Sequence, residues 1–454
     1  MNHLVNAVQQ PWINAQIPAA VFAERRVRLL ANMSANSLAL IPTSQAKIRN
    51  ADADYAYRAD SSFFYLTGFA EPEALAVLMP SDPQPYQLLC RERDPAKEIW
   101  DGLRAGTAGA VAQYAADVAY PISQLDELMP KLISGKQRLY IRLGQDAAFD
   151  QQVSGWLKKV AATQRQGGKV PLEIIQLDHL LDEMRLIKDP TEIELMRQAA
   201  QISAAAHVRA MQTVQAGMPE YALEAELLYV MQKHGCKTAY NSIVGGGKNA
   251  CILHYIENNQ PLNDGDLVLI DAGAELNHYA ADITRTFPVS GRFSPAQAAL
   301  YQLVLDAQFA AIDAVRVGEH CKAYHEVAVR VLTEGLVRLG LLNGDVATLI
   351  EDGSYRRFYM HGTGHWLGMD VHDVGSYKDM AGEQWRPLQA GMVLTVEPGL
   401  YIAADDDTVE PQWRGIGIRI EDDVLVTEGA PEVLTAGVPK TIAEIEALMQ
   451  GRAL

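Results

Sequence analysis

Two stretches in the second half of the chain constrain it more than any others. Gly265-Asp-Leu-Val-Leu-Ile-Asp271-Ala-Gly273 and Gly391-Met-Val-Leu-Thr-Val-Glu397-Pro-Gly399 share one pattern: a glycine opens an apolar run, a carboxylate follows six residues later, and another glycine two residues after that. The period of a strand puts Leu267, Leu269 and Asp271 on one face. A carboxylate buried there is costly unless a cation or hydrogen-bond donors meet it. Downstream of each copy lies a second acid-bearing strand, Asp282-Ile-Thr-Arg-Thr-Phe and then Arg419-Ile-Glu421-Asp-Asp-Val-Leu-Val. Two related halves of this kind would set Asp271, Asp282, Glu397 and Glu421 around a pseudo-twofold axis.

If those acids meet, they carry four negative charges, which two divalent cations cancel and one does not. Residues 361–372, His-Gly-Thr-Gly-His-Trp-Leu-Gly-Met-Asp-Val-His, add three histidines on an extended or looped backbone whose glycines permit close approach. His365 is a candidate nitrogen ligand. Four carboxylates and one imidazole form a hard, oxygen-rich set that suits Mn²⁺, with Co²⁺ or Zn²⁺ as competitors. Two such ions about 3.5–4 Å apart share and acidify a water, which implies hydrolysis. Arg419 shares a strand face with Glu421 and is placed to orient a ligand carboxylate. His254, at the end of another apolar stretch, reads either as a proton donor to the substrate or as a packed core histidine. The chain has no Gly-x-Ser-x-Gly elbow and no His-Glu-x-x-His helix, and Gly245-Gly-Gly-Lys lacks the phosphate-loop spacing.

The rest of the chain is α/β (α+β) material in two domains, 1–183 and 184–454. In the first, an irregular arm over residues 1–20 leads into a helix from Phe22. Strands are predicted at Ser37-Leu-Ala-Leu-Ile-Pro, Phe63-Phe-Tyr-Leu-Thr-Gly, Ala74-Leu-Ala-Val-Leu-Met-Pro, Gln87-Leu-Leu-Cys and Arg138-Leu-Tyr-Ile-Arg, with a helix near 123–132. The boundary falls at Leu186-Ile-Lys-Asp-Pro-Thr-Glu. There Asp189 as N-cap, Pro190 at the first helical position and Glu192 open a long helix whose apolar face is Leu195, Ala199, Ile202, Ala206 and Ala210. Further helices are expected over 221–232 and 294–317. His207, His234, His320 and His325 fall in helical stretches and read as surface or core histidines.

The net charge of −17 argues against nucleic-acid or anionic-membrane partners. No apolar run approaches the roughly 18 residues of a membrane span, and no secretory signal is evident. Cys90, Cys236, Cys251 and Cys321 form no Cys-x-x-Cys pair and read as reduced thiols of a cytoplasmic protein.

Taken together, Ile252-Leu-His-Tyr, Ile270-Asp-Ala-Gly-Ala-Glu, Ala281-Asp-Ile-Thr-Arg-Thr-Phe-Pro, His361 to Gly375, Thr395-Val-Glu-Pro-Gly-Leu-Tyr and Gly415-Ile-Gly-Ile-Arg-Ile-Glu-Asp-Asp resemble, in order and spacing, the pita-bread metallopeptidases, and among them the Xaa-Pro aminopeptidase (aminopeptidase P) type. Tyr55-Ala-Tyr-Arg and Phe63-Phe-Tyr-Leu-Thr-Gly-Phe-Ala-Glu-Pro-Glu-Ala resemble that type's N-terminal domain. The resemblance implies an N-terminal α/β domain followed by a pita-bread catalytic domain. It implies two metal ions, usually manganese, on Asp271, Asp282, His365, Glu397 and Glu421. It also implies attack by a metal-bridging hydroxide, with His254, His361, His372 and Glu397 in catalytic roles and Tyr401 and Arg419 shaping the proline pocket. Trp100 would reach a neighbouring subunit's site in a homotetramer. The substrates implied are peptides with proline at the second position. The alternatives are a prolidase that cleaves Xaa-Pro dipeptides and a metal-free peptide-binding module on the same fold.

Overall fold

The computed structural model describes residues 16–451, which divide into one unit at Gln16–Met184 and a second that begins at Arg185. In the first, strands β1 (Ser37–Pro42), β2 (Leu75–Leu78), β3 (Tyr86–Cys90), β4 (Val118–Pro121), β5 (Arg138–Ile141) and β6 (Glu173–Gln176) form one sheet in the order β4-β3-β2-β1-β5-β6. The β1–β2 and β2–β3 pairs are antiparallel; β3–β4, β1–β5 and β5–β6 are parallel. Parallel neighbours need crossovers, and helices supply them. Leu38, Leu40, Val77, Leu89, Leu139 and Ile141 of the sheet pack on Met129 and Ile133 of helix Leu125–Ile133 and on Val153, Trp156 and Val160 of helix Ala147–Ala162. Spacings of three and four put those last three side chains on one stripe.

One predicted strand is a helix. Residues 61–67 form α-helix Ser61–Thr67, because Asp60 caps it by accepting from the Phe63 N–H and Gly68 ends it in the left-handed region. Every residue of this helix is buried, so its apolar run has no periodicity to distinguish helix from strand. Two buried arginines of helix Ala19–Asn32 finish its C-terminal end: Arg26 Nη1 donates to Leu66 O at 2.7 Å and Arg25 Nη1 to Tyr65 O at 3.3 Å. The arm predicted over residues 1–20 lies mostly outside the described residues.

The second unit opens with helix Pro190–Thr213, which carries the full capping box between Asp189 and Glu192 and buries Leu195, Ala199, Ile202 and Ala210. Helix Glu220–Lys233 follows, and His234 is its C-cap. The helix predicted over 294–317 runs from Pro295 to Asp313, so it stops short of Val317 and leaves His320 outside any helix. Ser294 and Gln297 form a second capping box at its start.

The repeat seen in the sequence is a repeat of strand pairs. Strand β7 (Leu267–Asp271) pairs antiparallel with β8 (Thr284–Pro288), and Asp271 faces Thr284. Strand β9 (Val393–Val396) pairs antiparallel with β12 (Asp422–Leu425), and Val396 faces Asp422. Between them, β10 (Gly399–Ile402) pairs with β11 (Ile416–Arg419). Each acid therefore stands at or just beyond the end of a strand, at corresponding ends of the two pairs. Backbone joins the pairs as well: the Glu421 N–H donates to Thr284 O at 3.0 Å, and the Asp282 N–H donates to both carboxylate oxygens of Asp423.

The Ser294 cap lies apart from the acids, which makes it a clean test of the fold. Ser294→Ala is expected to lower unfolding free energy by about 1 kcal/mol, read as a lower denaturant midpoint with an unchanged slope.

Candidate metal centre

The acid-bearing ends of the two strand pairs open on a cavity of about 600 Å³ lined by Asp271, Asp282, His365, Glu397, Glu421, His254, His361, His372 and Arg419, with Ile243, Leu253 and Ile256 among the apolar residues. One ligand atom each from Asp282, His365 and Glu421 falls within a mutual distance of 4.8 Å. His365 Nε2 is 3.5 Å from Asp282 Oδ2 and 3.9 Å from Glu397 Oε1. Asp271 joins through Tyr240, whose hydroxyl lies 2.6 Å from Asp271 Oδ1 and 2.5 Å from Asp282 Oδ1. A phenol has one proton, so one donor serves two carboxylates.

The backbone fixes His365 against Glu397. The Thr395 N–H donates to His365 O at 2.9 Å and the Glu397 N–H to Thr363 O at 2.8 Å, so residues 363–365 lie along the acid-bearing end of β9. A Cβ on Gly364 would stand 1.8 Å from Thr395 O, which explains the glycine. His365 Nδ1 lies 3.0 Å from Trp366 O. Donation to that carbonyl puts the ring proton on Nδ1 and turns the Nε2 lone pair toward the acids, the tautomer that a metal ligand needs.

The charges are unbalanced in a way that a cation corrects. Burial, and then Asp282 and Glu397, push Glu421 well above the ordinary carboxyl range. Burial pushes Glu397 up to about 7 despite the opposing pull of His365 and Arg419. Asp271 is raised too, by burial, although Arg419 Nη2 sits 2.6 Å from its Oδ2. Asp282 goes the other way: burial opposes its charge, but His365 and Tyr240 outweigh burial. Burial likewise opposes a charge on His365, yet Asp282 and Glu397 hold its pKa near 9. A proton on that imidazole marks where the site attracts positive charge. Oxygen-rich donors, a correctly turned imidazole and surplus buried carboxylates fit divalent cations.

Behind these groups runs a chain of hydrogen bonds. Thr284 Oγ1 donates to Glu421 Oε2 at 2.7 Å and accepts from Arg419 Nε at 3.1 Å. Arg419 Nη1 donates to the Tyr401 hydroxyl at 3.0 Å, and that hydroxyl is 2.8 Å from His361 Nε2. Tyr401 therefore stands behind His361, and it is only 3% exposed. His372 stands edge-on to His365, with ring centroids 4.2 Å apart. His254 lines the cavity rather than the core. Trp100 is 86% exposed on helix Pro95–Asp101 and is not among the residues lining this cavity.

Tyr240, Thr284, Thr363 and Asp423 join the site without any motif of their own. Thr284, Thr363 and Asp423 each stand two residues from Asp282, His365 and Glu421, whereas Tyr240 lies 31 residues from Asp271 and gives no local signal. Of the four helical-stretch histidines, His207 is fully buried and donates from Nε2 to Ala272 O, next to Asp271. His325 Nδ1 lies 2.8 Å from Thr363 Oγ1.

The sequence profile of metallopeptidase family M24 matches residues 194–428, and that of the aminopeptidase P N-terminal domain matches residues 22–140. An Xaa-Pro aminopeptidase of Haemophilus influenzae is 47% identical over 437 residues, covering 96% of this chain and 98% of the relative. One of Escherichia coli is 45% identical over 438 residues, with 96% and 98% covered. Among solved structures, Pseudomonas aeruginosa aminopeptidase PepP superimposes with a TM-score of 0.95 at 55% identity, covering 96% of this chain and 99% of that one.

The raised pKa values give a sign that can be measured. In chelated protein, Glu397 (ordinary value 4.5, here about 7) and His365 (ordinary value 6.5, here about 9) bind protons more tightly folded than unfolded. Their contribution to stability is complete below the unfolded values and is lost as pH rises through the folded ones. The melting temperature of chelated protein should therefore fall from pH 5 to pH 9 relative to the Mn²⁺-loaded protein. Metal binding should release more protons at pH 6 than at pH 9, read by calorimetry in buffers of different ionisation enthalpy. Equal release at both pH values would contradict this charge balance.

Proposed function

This chain belongs to metallopeptidase family M24, and we propose that it is an Xaa-Pro aminopeptidase, releasing the N-terminal amino acid from peptides whose second residue is proline. The observation that carries the reading is the convergence of acids from both strand pairs with His365 in one cavity. Asp271, Asp282, His365, Glu397 and Glu421 would hold two divalent cations. Manganese is the first choice on the oxygen-rich donor set, with cobalt or zinc as competitors. When bound, such ions polarise a carbonyl and make water acidic enough to attack at neutral pH.

The chain's own residues do the rest. Glu397, with its Oε2 3.8 Å from His361 Nδ1, takes up the proton of the attacking water and returns it toward the departing nitrogen. Arg419 holds Asp271 and Tyr401 at once, so a single guanidinium orients both a ligand and the ring of His361. His254 and His372 line the cavity where the substrate carbonyl and the proline nitrogen would lie. An Xaa-Pro bond carries no N–H, so a peptidase that pairs with that group fails on it, while a cavity that grips the carbonyl does not need it.

The proposal includes a homotetramer in which Trp100 reaches a neighbouring subunit's site. Ile99, Trp100 and Leu103 are 82%, 86% and 83% exposed, apolar surface of the kind that subunits cover. It also includes a cytoplasmic location, supported by four free cysteines among the described residues. No helix of the described residues is long and apolar enough to cross a membrane.

The test is release of the first residue from an Xaa-Pro-Xaa tripeptide and from the Xaa-Pro dipeptide, after chelation and after Mn²⁺ is restored. Metal-dependent cleavage of the tripeptide with little of the dipeptide is expected. Preference for the dipeptide would make the chain a prolidase. No cleavage by folded, manganese-loaded protein would leave a binding role. His365→Ala should lose more turnover than the roughly 10- to 100-fold that removal of a ligand's hydrogen-bond partner costs, and should lose one metal ion while remaining folded.

A further inference from the structure

The segment that opens the second unit reaches the end of the histidine stretch through a buried ion cluster. Arg185 Nη2 donates to Asp370 Oδ2 at 2.7 Å and to Asp373 Oδ1 at 2.6 Å, and Lys188 Nζ donates to Asp373 Oδ2 at 3.0 Å. The side chains of Arg185, Lys188 and Asp373 are only 1–2% exposed, so these charges are held out of water and close to one another. The loop closes tightly over them. A Cβ on Gly368 would lie 2.1 Å from Asp373 Oδ2 and 2.9 Å from Lys188 Cε.

Backbone ties this cluster to both sides of the metal centre. The Asp373 N–H donates to Trp366 O at 2.9 Å, next to His365. The Lys188 N–H donates to Gly391 O at 2.9 Å, at the glycine that precedes the strand leading to Glu397. His372 sits one residue before Asp373, lines the cavity and stands edge-on to His365. Among the described residues no hydrogen bond holds the His372 ring itself. Its direction is therefore left to packing and to the backbone that Asp373 anchors.

We infer that Lys188 and Arg185 are positioning residues for His372, acting through Asp373. The inference rests on the proposed Xaa-Pro cleavage and on a role for His372 in it. It gives the Leu186-Ile-Lys-Asp-Pro-Thr-Glu motif a second task beyond starting a helix: its lysine aims a side chain far away in the sequence.

The test is a double-mutant cycle on the manganese-loaded full chain, with the Xaa-Pro-Xaa tripeptide as probe and metal content measured alongside. Lys188→Met keeps the aliphatic stem and leaves Asp373 paired with Arg185. It should lower kcat about tenfold with KM within about twofold, since small misplacements of reacting groups cost rate, and metal content should match the wild type. In a His372→Ala background the same substitution should cost nothing further, because residues that act through one group are not additive. Equal losses in both backgrounds, or a wild-type kcat for Lys188→Met, would overturn the inference. If Lys188→Met does not fold, Asp370→Asn replaces it, because the Asp370 side chain is 39% exposed and its loss leaves the buried pair intact. A loss of about threefold that vanishes beside His372→Ala is then expected, and an additive loss overturns the inference. Wild-type protein that cleaves no Xaa-Pro bond would sink the proposed activity and this inference together. Wild-type cleavage with additive losses would sink this inference alone.

Discussion

Four carboxylates, Asp271, Asp282, Glu397 and Glu421, share one end of two strand pairs, and like charges placed so close cannot all stay ionised without compensation. Arg419 offsets one of them and His365 can offset another. The remaining excess shows as Glu397 near 7 and Glu421 well above its ordinary range. Much of the surrounding structure serves to hold these acids together against their repulsion. Tyr240 shares its proton between Asp271 and Asp282, Thr284 donates to Glu421, and Asp423 accepts from the backbone of Asp282. Removing any one of these would loosen a group that electrostatics already pushes outward.

The fold makes this possible by duplication. Each strand pair is an ordinary antiparallel ladder with its acids at the end, where strand geometry no longer dictates the neighbour. The Glu421–Thr284 and Asp282–Asp423 hydrogen bonds lock one ladder to the other. A third piece, residues 363–365, lies along the end of β9 and delivers His365 to the gap. Acids from both ladders and an imidazole from the loop thus converge without any one segment carrying the whole site. That is why no short local motif of the zincin kind is present.

Much of this could be read from the chain. The repeated glycine–strand–acid pattern located the two ladders, because burying a carboxylate has few physical explanations. The Asp189 capping box marked the start of the long helix, because its chemistry is local. What could not be read was non-local. Tyr240 and Thr284 matter through register and proximity across the fold, which sequence periodicity does not report. Arg185 and Lys188 meet Asp373 across nearly two hundred residues of chain. The Ser61–Thr67 helix reads as a strand in the sequence because all its faces are buried, which erases the contrast between periods of two and 3.6.

Paired cations are what would hold these acids together. Chelated protein should be titrated with Mn²⁺ while bound metal is counted and its electron paramagnetic resonance recorded. Two ions per chain with the signal of a spin-coupled pair are predicted, since the acids lie close enough to share ligands. A single uncoupled ion, or none bound by folded protein, would contradict the claim that two cations balance this cluster of carboxylates.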